Sequence, residues 1–339
     1  MTIPTLITTA QALLAPGKGI LAADESSPTI EKRFKDISLP STEENRRAYR
    51  EMLFTTPEIG KYISGVILFD ETIRQKLKDG TPMPLALSKQ GIIPGIKVDE
   101  GAVALTNFPG EKITHGLDGL RERLADYRNL GARFTKWRAV ITIGKNQPSQ
   151  TALEANAAAL AQYAALSQEA DLVPIVEPEV LMDGDHTIAR CEEVITATLK
   201  AVFDALFEYR IALEGMLLKS GMVLSGKECP QQAGISEVAE STIRTFRRTV
   251  PSAVPGIVFL SGGQSDVEST ERLNAICASG NLPWKLTFSF GRALQAPSLQ
   301  AWKGLPDQVG AGQAALHHRS KCNSLALTGA YSDKIEKAG

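Results

Sequence analysis

Cysteine and histidine are scarce in this chain, four of each in 339 residues. Cys191, Cys229, Cys277 and Cys322 are far apart and form no C-x-x-C pair. A chain this long does not rest on a disulfide framework, so they read as reduced thiols. His115, His186, His317 and His318 form no H-x-x-x-H, and no Cys/His cluster accompanies them. Asp183-Gly184-Asp185-His186 is the stretch most suggestive of metal ligands, but His186 reads as a loop residue and His317 and His318 as exposed on a tail helix. The expectation is therefore a site with no metal and no cofactor. Aromatic residues make up only 6%, and no block of Lys and Arg is interleaved with them, which argues against a nucleic-acid groove. The net charge of −1 provides no field toward nucleic acid or an anionic membrane. No apolar run approaches bilayer length, and the first 16 residues lack the basic start and apolar core of a signal peptide. These absences point to a soluble, cytoplasmic protein.

What is present is a large apolar fraction, 43%, ample for a sizeable core. Eight apolar runs read as strands: residues 19–26, 65–71, 92–99 (interrupted by Pro94), 134–141, 172–179, 214–223, 256–263 and 284–292. Helix-periodic segments alternate with them, at 42–62, 116–130, the alanine-rich 152–169, the amphipathic 189–209 and 235–249. A short helix at 7–14 precedes the first strand, and Ser265 to Glu268 opens another helix with a capping box. From Leu294 the tail carries one more helical stretch. The rhythm is that of repeated βαβ units with no linker. It predicts an α/β fold, one (β/α)8 barrel of 1–339 with strands within about 19–292 and a tail at 293–339. An open doubly wound sheet is the competitor. It is disfavoured because no G-x-G-x-x-G follows the first strand.

The run Glu214-Gly215-Met216-Leu217-Leu218-Lys219-Ser220-Gly221 delivers an ammonium to the end of a buried strand. An isolated strand-end lysine usually snorkels to water. A buried one has its charged form disfavoured, and a neutral amine attacks carbonyls to give Schiff bases. The company of Lys219 favours the second reading. In a barrel the C-terminal strand ends converge on one mouth. Here those ends read Asp24, Asp70/Glu71, Lys97, Lys136, Glu177/Glu179, Lys219, Ser261 and Arg292. Lys136 would face Lys219 and depress its pKa further, while Glu177 between them could shuttle protons. Strand alternation puts Glu177 and Glu179 on one face, where pairing with Lys136 and Arg138 is equally in keeping. Ser261-Gly262-Gly263 directly before a helix, with Gly291-Arg292 beside it, suits a phosphate. Ser26, Arg33 and Lys97 could hold a second one at the opposite rim.

Three motifs mislead. Leu260-Ser261-Gly262-Gly263-Gln264 spells the signature of ABC-type ATPases, residues 66–71 look like a Walker B strand, and Gly221 to Glu228 reads G-x-x-x-x-G-K-E. Glu228 replaces the Mg²⁺-ligating hydroxyl of a P-loop, and the order of the motifs is wrong for an ATPase. A non-catalytic barrel that binds partners through its outer helices is a further alternative.

Taken together these residues resemble class I fructose-bisphosphate aldolase. The likeness is carried by Gly19 to Ser26, Gly95-Ile96-Lys97-Val98-Asp99, Phe134-Thr135-Lys136-Trp137-Arg138 and Val176-Glu177-Pro178-Glu179. Asp183 to His186, Leu217-Leu218-Lys219, Phe259 to Ser265 and Gly291-Arg292-Ala293-Leu294-Gln295 extend it over almost the whole chain. The resemblance implies reversible aldol cleavage of fructose 1,6-bisphosphate to dihydroxyacetone phosphate and glyceraldehyde 3-phosphate. Lys219 is implied as the Schiff-base lysine, with Glu177 as the proton carrier for carbinolamine dehydration and Glu179 in support. Asp24 is implied as acceptor of the hydroxyl proton, and Lys136 as electrostatic assistance. Ser261, Gly262, Gly263, Gly291 and Arg292 are implied at one phosphate, Ser26, Arg33 and Lys97 at the other, and Arg138 elsewhere along the substrate. The implied partners are small sugar phosphates and further copies of the chain, as a dimer or tetramer. Two departures stand out. Ser220-Gly221 replaces the familiar Pro-Asn, which would loosen that turn. The family's tail tyrosine has its counterpart in Tyr331, with residues 332–339 still following.

Overall fold

The computed structural model describes residues 3–338. Its first half runs α1 (Ile3–Leu13), β1 (Gly19–Ala23), α2 (Ser27–Lys35), α3 (Glu43–Phe54), β2 (Ile63–Leu68), α4 (Asp70–Arg74), α5 (Met83–Ser88), β3 (Ile93–Lys97), β4 (Ala102–Ala104), β5 (Lys112–Thr114) and α6 (Leu120–Asn129). The second half runs β6 (Phe134–Ile141), α7 (Gln150–Glu169), β7 (Val173–Val180), α8 (Ile188–Glu208), β8 (Leu217–Ser220), α9 (Ile235–Thr249), β9 (Gly256–Phe259), α10 (Asp266–Cys277), β10 (Lys285–Phe290), α11 (Arg292–Trp302), α12 (Val309–Ala326) and α13 (Asp333–Glu336). Eight of the strands close a parallel barrel in the order β1-β10-β9-β8-β7-β6-β3-β2, and β2 pairs back to β1. The predicted (β/α)8 barrel is therefore the observed architecture. β4 and β5 form a separate antiparallel hairpin beside it.

Two apolar layers hold the barrel. The outer one lies between strands and helices and includes Trp137, Tyr163, Phe246 and Phe259. The inner one closes the bottom, where Leu6, Leu13 and Leu14 from α1 and its end pack with Ile20, Phe134, Val173, Leu217 and Val258. Phe134 points inward, and glycine on the neighbouring strand makes room for it. A Cβ on Gly95 would lie 2.3 Å from the Phe134 ring. Among the described residues the bottom is filled, and the cavity lies at the C-terminal ends of the strands, where this fold places its chemistry.

Several boundaries depart from the sequence pattern for local reasons. The helix expected over 42–62 stops at Phe54, because Pro57 follows and Glu58 adopts a left-handed φ of 58°. The run 214–223 is a strand only over Leu217–Ser220, with a 3-10 turn at Leu213–Gly215 before it. Pro94 does not interrupt its strand, since its carbonyl accepts from Arg133 N and it stands opposite Val66. The turn after Lys219 is not loose despite lacking proline. Ser220 O accepts from Leu260 N at 3.0 Å, and Ser220 Oγ donates to Gly221 O. The tail is not one helix but three, and α12 packs on α10, α11 and α3. Its histidines are half-buried rather than exposed: His317 stacks edge-on against Tyr62, and His318 reaches Glu336. All four cysteines are free thiols. No helix among the described residues is long and apolar enough to cross a membrane.

Candidate active site

A cavity of about 1150 Å³ opens at the C-terminal ends of the strands. The site residues proposed from the sequence line it except Tyr331, as does Asp70, whereas Glu71, also expected at the mouth, does not line it and pairs with Arg46 instead. At its floor stands a run of buried charges. Lys219, near the end of β8, places Nζ 3.1 Å from Glu177 Oε1 on β7. Lys136 on β6 places its Nζ 2.9 Å from Glu177 Oε2 and 3.0 Å from Asp24 Oδ2, just beyond β1. The four side chains are between 4% and 13% exposed. The two ammonium groups thus meet across a carboxylate and not directly, and that carboxylate offsets the repulsion on which the sequence expectation rested.

Parallel register explains this convergence. Lys97, Lys136 and Ile175 stand side by side on β3, β6 and β7, and Arg138 stands beside Glu177. Residues of equal height on neighbouring strands bring their inward side chains to one level of the barrel.

The electrostatics follow from the pairing. Burial works against the Asp24 carboxylate, but Lys136 and then Lys219 overcome it and hold the group well below the usual carboxylate range. Burial likewise opposes the charge of Glu177, and Lys136, Lys219 and Arg138 together pull it below its ordinary value. The opposite holds for Lys136. Burial penalises its ammonium, yet Asp24 and Glu177 raise it above the usual lysine range. Glu177 Oε2 lies within ion-pair distance of Lys136 but accepts no aligned hydrogen bond, so it keeps a lone pair for a further proton. Higher on β7, Glu179 pairs with Arg138.

Groups suited to anions surround this floor. After β9, Ser261 leads into Gly262 and Gly263, both left-handed with φ of 57° and 93°. A Cβ on Gly263 would lie 3.0 Å from the end of the Lys227 side chain. These glycines do not lead straight into a helix as expected. The N-terminus of α10 is closed by its own capping box, Ser265 with Glu268. The start of α11, which follows Gly291 and begins with Arg292, has no side-chain cap, and neither has that of α2, whose N-cap is Ser26. The Gly262-Gly263 turn and the beginning of α11 thus present backbone geometry suited to an anion. Ser26 and Arg33 are not at the opposite rim. β1 neighbours β10, and Arg33 Nη2 lies 3.9 Å from where a Cβ on Gly291 would sit. Lys97, two strands further round, stands apart from them and pairs with Asp99 at 2.8 Å.

Sequence reasoning missed the support behind these groups. Glu25 is buried and bridges Arg33 and Arg50, while Gln295 Nε2 donates to its Oε1 at 2.9 Å and to Ala22 O at 2.7 Å. Alternation was the available signal, since adjacent acids at a strand end point to opposite sides. Asp24 takes the mouth and Glu25 takes the layer behind it. Asp99 was missed too; it accepts from Arg138 N as well as pairing with Lys97. Ser289 lines the cavity with a buried, unpartnered hydroxyl.

Tyr331 corrects the expectation drawn for the tail. Its hydroxyl donates to Glu336 Oε2 at 2.6 Å, and its backbone N–H donates to Asn274 on α10. It is buried on the outer helical layer and does not reach the mouth. The P-loop-like stretch is also resolved. Gly226, Lys227 and Glu228 donate backbone hydrogen bonds to the 182–186 loop and lead into no phosphate-binding helix.

The comparisons with known proteins bear on this geometry. The family model for fructose-bisphosphate aldolase class-I matches residues 5–339. The chain belongs to that family. It is 58% identical over 330 residues to a probable fructose-bisphosphate aldolase class 1 of Xanthomonas campestris pv. campestris, covering 97% of this chain and 99% of the relative. It is 52% identical to the fructose-bisphosphate aldolase of Dictyostelium discoideum, covering 96% of this chain and 92% of that protein. Among solved structures, the Plasmodium falciparum aldolase in complex with TRAP and a small-molecule inhibitor aligns with a TM-score of 0.96 at 51% identity. The alignment covers 97% of this chain and 96% of that one. The chain is accordingly a carbon–carbon lyase of the fructose-bisphosphate aldolase type.

Proposed function

We propose that the chain cleaves fructose 1,6-bisphosphate reversibly through a Schiff base on Lys219, without a metal or cofactor. The observation that carries this reading is the buried pair of Lys219 and Glu177, shared with Lys136 and Asp24 at the floor of the cavity. Moving one proton across the 3.1 Å gap from Lys219 to Glu177 yields a neutral amine and a protonated carboxyl together. The amine attacks the substrate ketone to form a carbinolamine. Glu177 then gives its proton to the departing hydroxyl, and water leaves as the iminium forms. Next, Asp24 accepts the proton of the C4 hydroxyl. The C3–C4 bond breaks, glyceraldehyde 3-phosphate is released, and the electron pair is taken up by the iminium as an enamine. Lys136 remains charged throughout and stabilises whichever of the two carboxylates carries the negative charge. The Gly262-Gly263 turn with Arg292, Ser26 and Arg33 beside it, and Lys97 further round the mouth, hold the phosphates. Arg138 with Glu179 lines the wall beside them.

We further place this activity in the cytoplasm and in a dimer or tetramer. Phe207, 84% exposed near the end of α8, with Tyr209 beside it, supports self-association. The function is tested by incubating the enzyme with dihydroxyacetone phosphate and borohydride in EDTA, then mapping the adduct by mass spectrometry. A single covalent increment on Lys219, with cleavage turnover insensitive to EDTA, is expected. No adduct on Lys219, or activity lost to the chelator, overturns the mechanism.

A further inference from the structure

Away from the mouth, a second cluster of reactive groups lies where the tail folds back. His318 and Cys322 are one turn apart on α12, and Glu336 descends on the same face from α13. One ligand atom from each lies within 4.8 Å of the others. His318 Nε2 is 3.5 Å from Cys322 Sγ and 3.0 Å from the Glu336 carbonyl oxygen. Cys322 is fully buried and the other two are half-buried. None of the three lines the catalytic cavity. Imidazole, thiolate and carboxylate meeting at one point are the donors that borderline-soft divalent cations select.

We propose that His318 Nε2, Cys322 Sγ and Glu336 Oε1 bind one zinc-class divalent cation that fastens the end of the tail to α12. The carboxylate has the capacity. Arg319 donates to both oxygens of Glu336, and the Tyr331 hydroxyl donates to Oε2. A carboxylate offers about four lone-pair sites, so these three bonds leave one on Oε1. Binding releases the Cys322 thiol proton to solvent and forms one metal–sulfur bond, with no change of oxidation state. Two anionic ligands then balance the divalent charge, with the Arg319 guanidinium remaining as a neighbour on the far side of the carboxylate. His318 Nε2 gives up its contact with the Glu336 carbonyl. That carbonyl oxygen or a water then completes a tetrahedral shell, as at three-ligand zinc sites. The site is independent of the Schiff-base reading, because its ion touches no residue of the cleavage chemistry.

The full-length protein is titrated with Co²⁺ as a spectroscopic probe. One equivalent per chain should give a thiolate-to-cobalt charge-transfer band with tetrahedral d–d absorption, displaced by Zn²⁺. Bound Zn²⁺ should also protect Cys322 from alkylation. C322S should abolish the charge-transfer band, and H318Q should weaken binding by about tenfold or more. H318Q alters a half-buried side chain, so it decides the matter if C322S fails to fold. Absence of the band at stoichiometric Co²⁺ overturns the proposal, as does a band of unchanged affinity in H318Q.

Discussion

The division of labour between Asp24 and Glu177 makes Asp24→Asn the most discriminating perturbation. The change is isosteric and keeps an oxygen near Lys136 Nζ, which lies 3.0 Å from Asp24 Oδ2 in the native chain. Lys136 also retains Glu177 at 2.9 Å, so the floor of the site keeps one buried ion pair for each lysine. What is lost, on the proposed mechanism, is the anion that receives the hydroxyl proton as the carbon–carbon bond breaks. Removal of a positioned proton acceptor costs roughly 10²–10⁴ in rate, or about 3–5 kcal/mol in the barrier. Schiff-base formation depends instead on Lys219 and Glu177, so it should persist. Two measurements on one preparation separate these steps: coupled cleavage turnover with fructose 1,6-bisphosphate, and borohydride trapping followed by intact mass. The expected result is turnover down by about two to four decades with the trapped fraction at or above that of the native enzyme. Parallel loss of both signals would place Asp24 in iminium formation and refute the assignment, and unchanged turnover would remove it from the mechanism.

Glu177→Gln should give the complementary pattern, with slow adduct formation measured by rapid-quench trapping, because the amide cannot take the proton of Lys219 or deliver it to the leaving hydroxyl. Gly263→Ala places a side chain on a residue with φ of 93°, and about 1–2 kcal/mol of left-handed strain should raise KM for the bisphosphate about tenfold, with a smaller change in kcat. Tyr331→Phe should leave cleavage turnover within about twofold, as for a substitution outside the site, in steady-state assays. For acid stability the sign follows from Asp24, Glu25 and Glu177. All three are buried and are held below their ordinary values by neighbouring cations. A depressed folded-state value contributes stability that is complete above the unfolded pKa of about 4 and is lost as pH falls below it. Calorimetric Tm should therefore hold steady from pH 7 to about 5 and drop below about 4. Asp24→Asn should flatten that drop.

The strands and their terminal charges were legible because a buried parallel strand is a short apolar run, and a charged residue at its end has one place to go. Lys219 and Asp24 announce themselves in that way, whereas Lys136 and Glu177 stand inside β6 and β7 as charges within apolar strands. The order of charges within the mouth was not legible. Whether Lys136 faces Lys219 or a carboxylate depends on register across β6, β7 and β8, and periodicity within one strand carries no information about its neighbour. The supporting layer was hidden for a related reason. Arg50 lies in Glu-Glu-Asn-Arg-Arg-Ala-Tyr-Arg-Glu, which has the composition of a solvated helix face, and only the pairing with Glu25 identifies it as buried.

The tail was the least legible part. The Arg319–Glu336 pair joins groups 17 residues apart across a turn with no period to betray it. That contact also explains why a tyrosine in the expected position does not reach the mouth. Burial and the Glu336 carboxylate both disfavour ionisation of the Tyr331 hydroxyl, and the same carboxylate accepts its hydrogen bond. A phenol tied in this way to the outer helices cannot serve proton transfer at the barrel mouth unless the Arg319–Glu336 pair opens first. On the proposed mechanism the proton carriers of the cleavage are then Asp24 and Glu177, which the barrel brings to Lys136 and Lys219.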